Sequence, residues 1–290
     1  IPDPATSMNA LMAGEVDFWE TPAVDLVPSM EGNSDITIKV IDPLGTQGWL
    51  RPNHLNPPFN NPKARQALLH LASQETYLRA IVGDEKFWST CGTFFMCKTP
   101  LATDVGSEPL MNQDLEKAKQ LLKEGGYNGE TLVLMDPTDI PVLHGASLVT
   151  AQLLRDIGVK VEVQAMDWST LTSRRAEKKS VADGGWNIFH TYTTGADASS
   201  PIANIGISGG CEEKAWFGWP CDKTIEQLRD DFSREADPAK QKHIAEKLQA
   251  VAYSVVPYVN YGQWFQPVAY RSNLKGVLIS PVPFFWNIKK

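Results

Sequence analysis

The stretch from Thr131 to Gln164 constrains this chain more than any other part of it. Thr131-Leu132-Val133-Leu134-Met135 reads as a buried strand. Val142, Ala146, Val149, Leu153 and Ile157 then recur at helical spacing up to Gly158. Val159, Val161 and Val163 alternate with Lys160, Glu162 and Gln164, the period of a strand with one wet face. Two strands joined by a crossover helix run parallel, and the crossover is right-handed. The fold class is therefore α/β.

The rest of the chain reads less evenly. A short helix over 4–13 stops at Gly14, and Glu15-Val16-Asp17-Phe18-Trp19 and Thr37-Ile38-Lys39-Val40-Ile41 are strand candidates. A turn-rich stretch through Pro52, Pro57 and Pro58 follows. Asn61-Pro62 opens a helix whose apolar stripe, Ala64 to Val82, ends at Gly83. Residues 84–111 form a long loop, and helices are expected at about 113–124, 168–180, 222–233 and from Asp237-Pro238 to Val255. Asn187 to Tyr192, Tyr258 to Tyr270 and Gly276 to Ile279 read as strands.

The longest apolar runs fall far short of the roughly 20 residues that cross a bilayer. The net charge of -7 is spread along the chain with no lysine or arginine cluster, which argues against nucleic acid as a partner. No C-x-x-C pair or H-x-x-x-H helix points to a metal, and no glycine-rich phosphate loop follows a strand, so no cofactor is expected. Cys91 and Cys97 lie in one loop-like stretch, Cys211 and Cys221 in another. Two local disulfides fit this spacing, and four free thiols are the alternative.

One catalytic motif is present. Gly206-Ile207-Ser208-Gly209-Gly210 matches the G-x-S-x-G nucleophile elbow, and Asp222 or Asp230 with His243 would supply acid and base in hydrolase order. Its setting is wrong, because a glycine- and serine-rich loop runs straight into Cys211 and His243 sits inside a periodic helix. A serine hydrolase using Ser208 is the alternative reading. Tryptophans in polar, loop-like settings (Trp19, Trp49, Trp88, Trp216, Trp219 and Trp264) point instead to a cleft that grips a ligand by stacking, with simple packing as the bland reading of each ring.

Several phrases together resemble the large solute-binding proteins of ABC-type peptide and nickel importers. They are Gly14-Glu15-Val16-Asp17, the run Pro58 to Leu68 (PFNNPKARQAL), Ala118 to Tyr127 (AKQLLKEGGY), Gln152 to Val159 (QLLRDIGV) and Tyr270 to Gly276 (YRSNLKG), in family order. The resemblance implies a two-lobe periplasmic binding protein fold, class II-like, with no chemistry performed. It implies that 1–48 and 268–290 are a remnant of the first lobe, that 49–267 is a nearly complete second α/β lobe, and that the chain is the C-terminal portion of a longer one. A monomer exported to the periplasm, binding a peptide or other small amine-bearing solute and handing it to a membrane permease, is the expected protein. Export in turn implies the pairings Cys91–Cys97 and Cys211–Cys221. Peptide-binding members of the family commonly place an acidic residue in the loop after the strand at 187–192, where it pairs with the ligand's amino group. Asp197 is the residue available, within Gly195-Ala196-Asp197-Ala198-Ser199-Ser200-Pro201 rather than the usual Asp-Pro-Asp phrase. Trp216, Trp219, Trp264, Trp19 and Tyr192 complete the expected ligand contacts. A nickel complex, a sugar and an opine-like solute remain alternative ligands.

Overall fold

A computed structural model describes residue 1 and residues 3–290. The elements follow as α1 (Pro4–Ala13), β1 (Phe18–Trp19), α2 (Val27–Met30), β2 (Ile36–Val40), β3 (Thr46–Pro52), α3 (Pro62–Leu71), α4 (Gln74–Ile81) and β4 (Trp88–Ser89). Next come α5 (Glu108–Met111), α6 (Leu115–Glu124), β5 (Leu132–Pro137), α7 (Pro141–Asp156), β6 (Val161–Met166), α8 (Trp168–Arg174) and β7 (Ile188–Thr194). The chain closes with α9 (Gly195–Ala198), α10 (Cys211–Lys214), α11 (Lys223–Arg234), α12 (Pro238–Val255), β8 (Val259–Trp264) and β9 (Pro267–Arg271).

The strands form two sheets. The larger has the order β4-β8-β3-β7-β5-β6, with β5 parallel to both β6 and β7, and β3 antiparallel to β7 and β8. The smaller is antiparallel, in the order β1-β9-β2. The chain passes between the sheets at 41–45 and again at 265–266. The α/β unit read from sequence is present as β5-α7-β6. Leu132 and Leu134 enter the core shared with α3, α4, α7 and α12, whereas Val133 and Met135 face the opposite side with Leu171, Trp186, Phe189 and Trp219. A strand buried on both faces carries a continuous apolar run, as β5 does.

Helix ends follow the capping rules. Asn61 and Asp237 accept from the first helical N–H groups of α3 and α12, each followed by proline. Five expectations change. The helix from Asn61 to Gly83 is two, because Ala72 turns extended and Ser73 caps a new start at Gln74, its hydroxyl accepting from the Thr76 N–H. Residues 46–52 form a central strand instead of a turn-rich stretch. The strand read over 258–270 splits at 265–266, and its halves join different sheets. Gly276 to Ile279 is no strand, and an isolated bridge pairs Lys275 with Lys289 there instead. The helix expected to 180 stops at Arg174.

Cys91 is bonded to Cys97 and Cys211 to Cys221. Each bridge closes a short loop, so opening one by a double Cys→Ser change is expected to cost about 2 to 3 kcal/mol by the chain-entropy estimate. Urea denaturation of each double variant against the parent chain measures it. A loss below about 0.5 kcal/mol, within the range of an ordinary surface change, would show that the bridge constrains nothing in the unfolded chain.

Candidate functional site

A cavity of about 260 Å³ lies between the two sheets. From the large sheet it takes Thr46 of β3, Tyr192 and Thr194 of β7 and Trp264 of β8, three strand ends brought level by the register Thr46 to Thr194 and Thr46 to Trp264. From the other side come Glu20 and Val268, and the first crossing segment adds Ile41, Asp42 and Gly45. This is the carboxyl edge of the parallel strands, where open α/β sheets bind ligands. Gly45 is required here. Its φ is +65°, and a Cβ would stand 2.2 Å from the backbone oxygen of Trp264, so only glycine lets the two crossing segments touch.

The cleft wall is part aromatic and part acidic. Tyr192, 46% exposed, meets Trp264, 6% exposed, edge to face at 5.8 Å between centroids. Val142, at the start of α7, closes one side. Glu20 and Asp42 are the only ionisable side chains on the lining besides the Tyr192 phenol, and no lysine, arginine or histidine faces them there. Asp42 accepts from the Leu44 N–H at 3.0 Å, which fixes its carboxylate.

Of the residues expected in the site, Tyr192 and Trp264 are brought together in this cleft. Asp197 is exposed, in the turn α9 that follows Thr194. The Thr194 hydroxyl donates to its carboxylate at 2.9 Å, and its own N–H donates back to that oxygen at 3.2 Å. Trp19 is half-buried in the core of the small sheet, one residue before Glu20. Trp216 and Trp219 lie elsewhere, on the face of the large sheet covered by α8, where Trp219 is buried against Trp186. Trp49 is a fully packed core ring, stacked on Tyr258 at 4.5 Å. Sequence reading missed Glu20 and Asp42, isolated acids in loops that carry no local signal.

The hydrolase geometry is absent. Ser208 follows a single 3-10 turn (Ile205–Ile207) instead of a strand, and its hydroxyl donates to Glu226 at 3.1 Å. His243 is exposed on α12, 3.7 Å from Glu246.

Two α/β layers meeting at a cleft define the solute-binding class of fold. Residues 1–214 match the family of bacterial extracellular solute-binding proteins, family 5 Middle, and the chain belongs to that family, which is not one of enzymes. It is 38% identical over 291 residues to the probable peptide ABC transporter periplasmic-binding protein y4tO of Sinorhizobium fredii, covering 99% of this chain and 54% of that protein. Among solved structures, the binding protein DppA of Helicobacter pylori in complex with the peptide STSA superposes with a TM-score of 0.80 at 22% identity, over 99% of this chain and 55% of that one. AgaA of A.tumefacien R10 in complex with agropinic acid gives 0.81 at 20% identity, over 100% and 59%. The chain thus spans about half the length of the relatives it matches. Among the described residues no helix is long and apolar enough to cross a membrane.

Proposed function

We propose that this chain supplies much of the ligand clamp of an ABC importer's solute-binding protein, and that its solute is a peptide or another small molecule with a protonated amine. The observation that carries the reading is the sign of the cleft. A lining that combines two carboxylates with an aromatic pair and has no basic side chain favours a cation with an apolar body. Asp197, next to the Thr194 end of the cleft, is the proposed ammonium anchor, with Trp264 and Tyr192 packing on the apolar part. Residues 1–48 and 268–290 belong in this reading to the first lobe and 49–267 to the second. Delivery to a membrane permease, a periplasmic location and a monomeric state follow from the same proposal. The y4tO name and the STSA complex favour a peptide; the agropinic acid complex keeps an opine-like solute as the second reading.

Calorimetry on the full-length gene product with a panel of short peptides tests it. At least one peptide is expected to bind, and Asp197→Asn is expected to weaken it by about 2 kcal/mol, about thirtyfold, because an enclosed ammonium is left without its partner. Binding by no peptide overturns the ligand class. Equal affinity of Asp197→Asn moves the anchor to Asp42 or Glu20.

A further inference from the structure

Trp216 and Phe217, left out of the cleft, carry an unspent cation. Arg175, just beyond the end of α8, sets its guanidinium carbon 4.5 Å from the ring centroid of Phe217, 4.9 Å from that of Trp216 and 5.5 Å from that of Trp168. Its side chain makes no hydrogen bond and no ion pair among the described residues, and its Nε is buried without a partner. Every other arginine is engaged. Arg51, Arg65, Arg155 and Arg174 donate to backbone carbonyls, and Arg79, Arg229, Arg234 and Arg271 pair with carboxylates.

The neighbouring acids are already committed. Glu212 pairs with Lys178 at 3.4 Å, Glu177 with Lys179 at 3.3 Å, and Glu226 with Arg229 at 3.0 Å. Behind Trp216 stands a second guanidinium, that of Arg51, 5.1 Å from the same indole and likewise without a carboxylate. Two arginines therefore share one indole with no counter-ion. Leaving buried donors unpaired is costly, and burial already pulls the Arg175 guanidinium below its ordinary range. The aromatic contacts occupy the guanidinium's face, so its N–H edge is the part left for an acceptor.

We infer that Arg175, walled by Trp168, Trp216 and Phe217, is a second binding site, separate from the cleft, for a carboxylate carried on a flat apolar body. The fork of a guanidinium matches two carboxylate oxygens, and the three rings receive the apolar part. None of these residues lines the cavity between the sheets, so this site stands or falls independently of the cleft.

Benzoate is the probe. In amide and indole N–H spectra of the full-length protein, the Trp168 and Trp216 indole signals, assigned through Trp→Phe variants, are expected to shift saturably. The dissociation constant should be on the order of 1 mM, the scale of a small ligand held by one bidentate pair. Arg175→Gln should weaken it about tenfold or more, and Arg175→Lys nearly as much because a lysine has no fork. Arg174→Gln, which changes the neighbouring arginine bonded to Gly184 and Gly185, should leave it unchanged. If Arg175→Gln fails to fold, Phe217→Leu reads the same contact through the ring wall. Absence of a saturable shift, or a shift unaltered in both Arg175→Gln and Phe217→Leu, overturns the site. Inorganic phosphate binding as tightly as benzoate overturns the carboxylate assignment.

Discussion

Acidifying the protein from pH 7 to pH 5 is expected to cost about 2 kcal/mol of folding stability through the buried His190 alone, with His54 adding to the loss in the same direction. His190, in the middle of β7, is fully buried, its Nε2 2.8 Å from the Thr150 hydroxyl, which in turn lies 2.6 Å from the Tyr77 hydroxyl. No carboxylate touches the ring. Burial pushes its pKa from 6.5 down to about 3. His54, with its Nε2 3.1 Å from the Val256 carbonyl, is pushed well below its ordinary value by burial and then by the charges of Arg65 and Arg51. Both rings stay neutral in the folded protein, whereas the unfolded chain protonates them near pH 6.5. The unfolded state therefore binds more protons, and stability falls as pH falls from about 6.5 toward the folded-state values. At pH 5 the His190 ring forgoes about 1.5 pH units of protonation, or about 2 kcal/mol. Urea midpoints at pH 7, 6 and 5 measure the slope, and His190→Gln should reduce it by about one proton. A stability unchanged between pH 7 and 5 would mean that His190 is charged in the fold.

The buried histidine also marks what the sequence could convey. The alternation of Val161 and Val163 and the helical stripe from Val142 to Ile157 specify β5-α7-β6, because each residue there acts through its own side-chain polarity. Strand β3 carries no such signal. Gln47 and Arg51, with Asn53 just after the strand, are polar yet buried, and Gly48 is small because a Cβ there would stand 2.0 Å from the Tyr261 ring. Those residues are satisfied by distant partners such as the Thr93 and Trp186 carbonyls, so local polarity misreads them as turn. The apolar period from Ala64 to Val82 keeps its phase across Ala72-Ser73, which hid the break between α3 and α4.

The candidate cleft was half legible for the same reason. Tyr192 and Trp264 are large rings at strand ends, and their chemistry can be read one residue at a time. Their meeting depends on β3 lying between β7 and β8, and that strand was the one missed. Glu20 and Asp42 enter the cleft only because the chain crosses between sheets beside them. Trp216 and Trp219 looked equivalent to Trp264 in sequence. The loop closed by Cys211–Cys221 carries them to the opposite face of the large sheet.

Replacing Arg51 by methionine is expected to destabilise the protein by about 3 to 5 kcal/mol, the scale of stripping one partner from a buried charged network. Arg51 is fully buried on β3 and has no carboxylate partner among the described residues. Its charge is instead spread over carbonyls: Nε donates to Phe217 at 3.0 Å, one terminal nitrogen to Gly206 at 2.6 Å, and the other to Phe217 at 2.6 Å. Burial lowers its pKa to about 9, still above neutrality, so the folded protein keeps the charge at pH 7. The guanidinium fork ties the loop carrying Gly206 and the loop carrying Phe217 to one strand, while its face rests on Trp216 and Tyr258. Methionine fills much of the volume but leaves two buried carbonyls without donors, and that unpaired polarity sets the size of the loss. Arg51→Lys separates charge from geometry, because an ammonium keeps the charge but cannot span both carbonyls in the same plane. Its loss should fall between those of the parent and Arg51→Met. Urea denaturation at pH 7 measures all three proteins, and a loss under about 1 kcal/mol for Arg51→Met would show that water replaces the guanidinium at no greater cost than an exposed hydrogen bond.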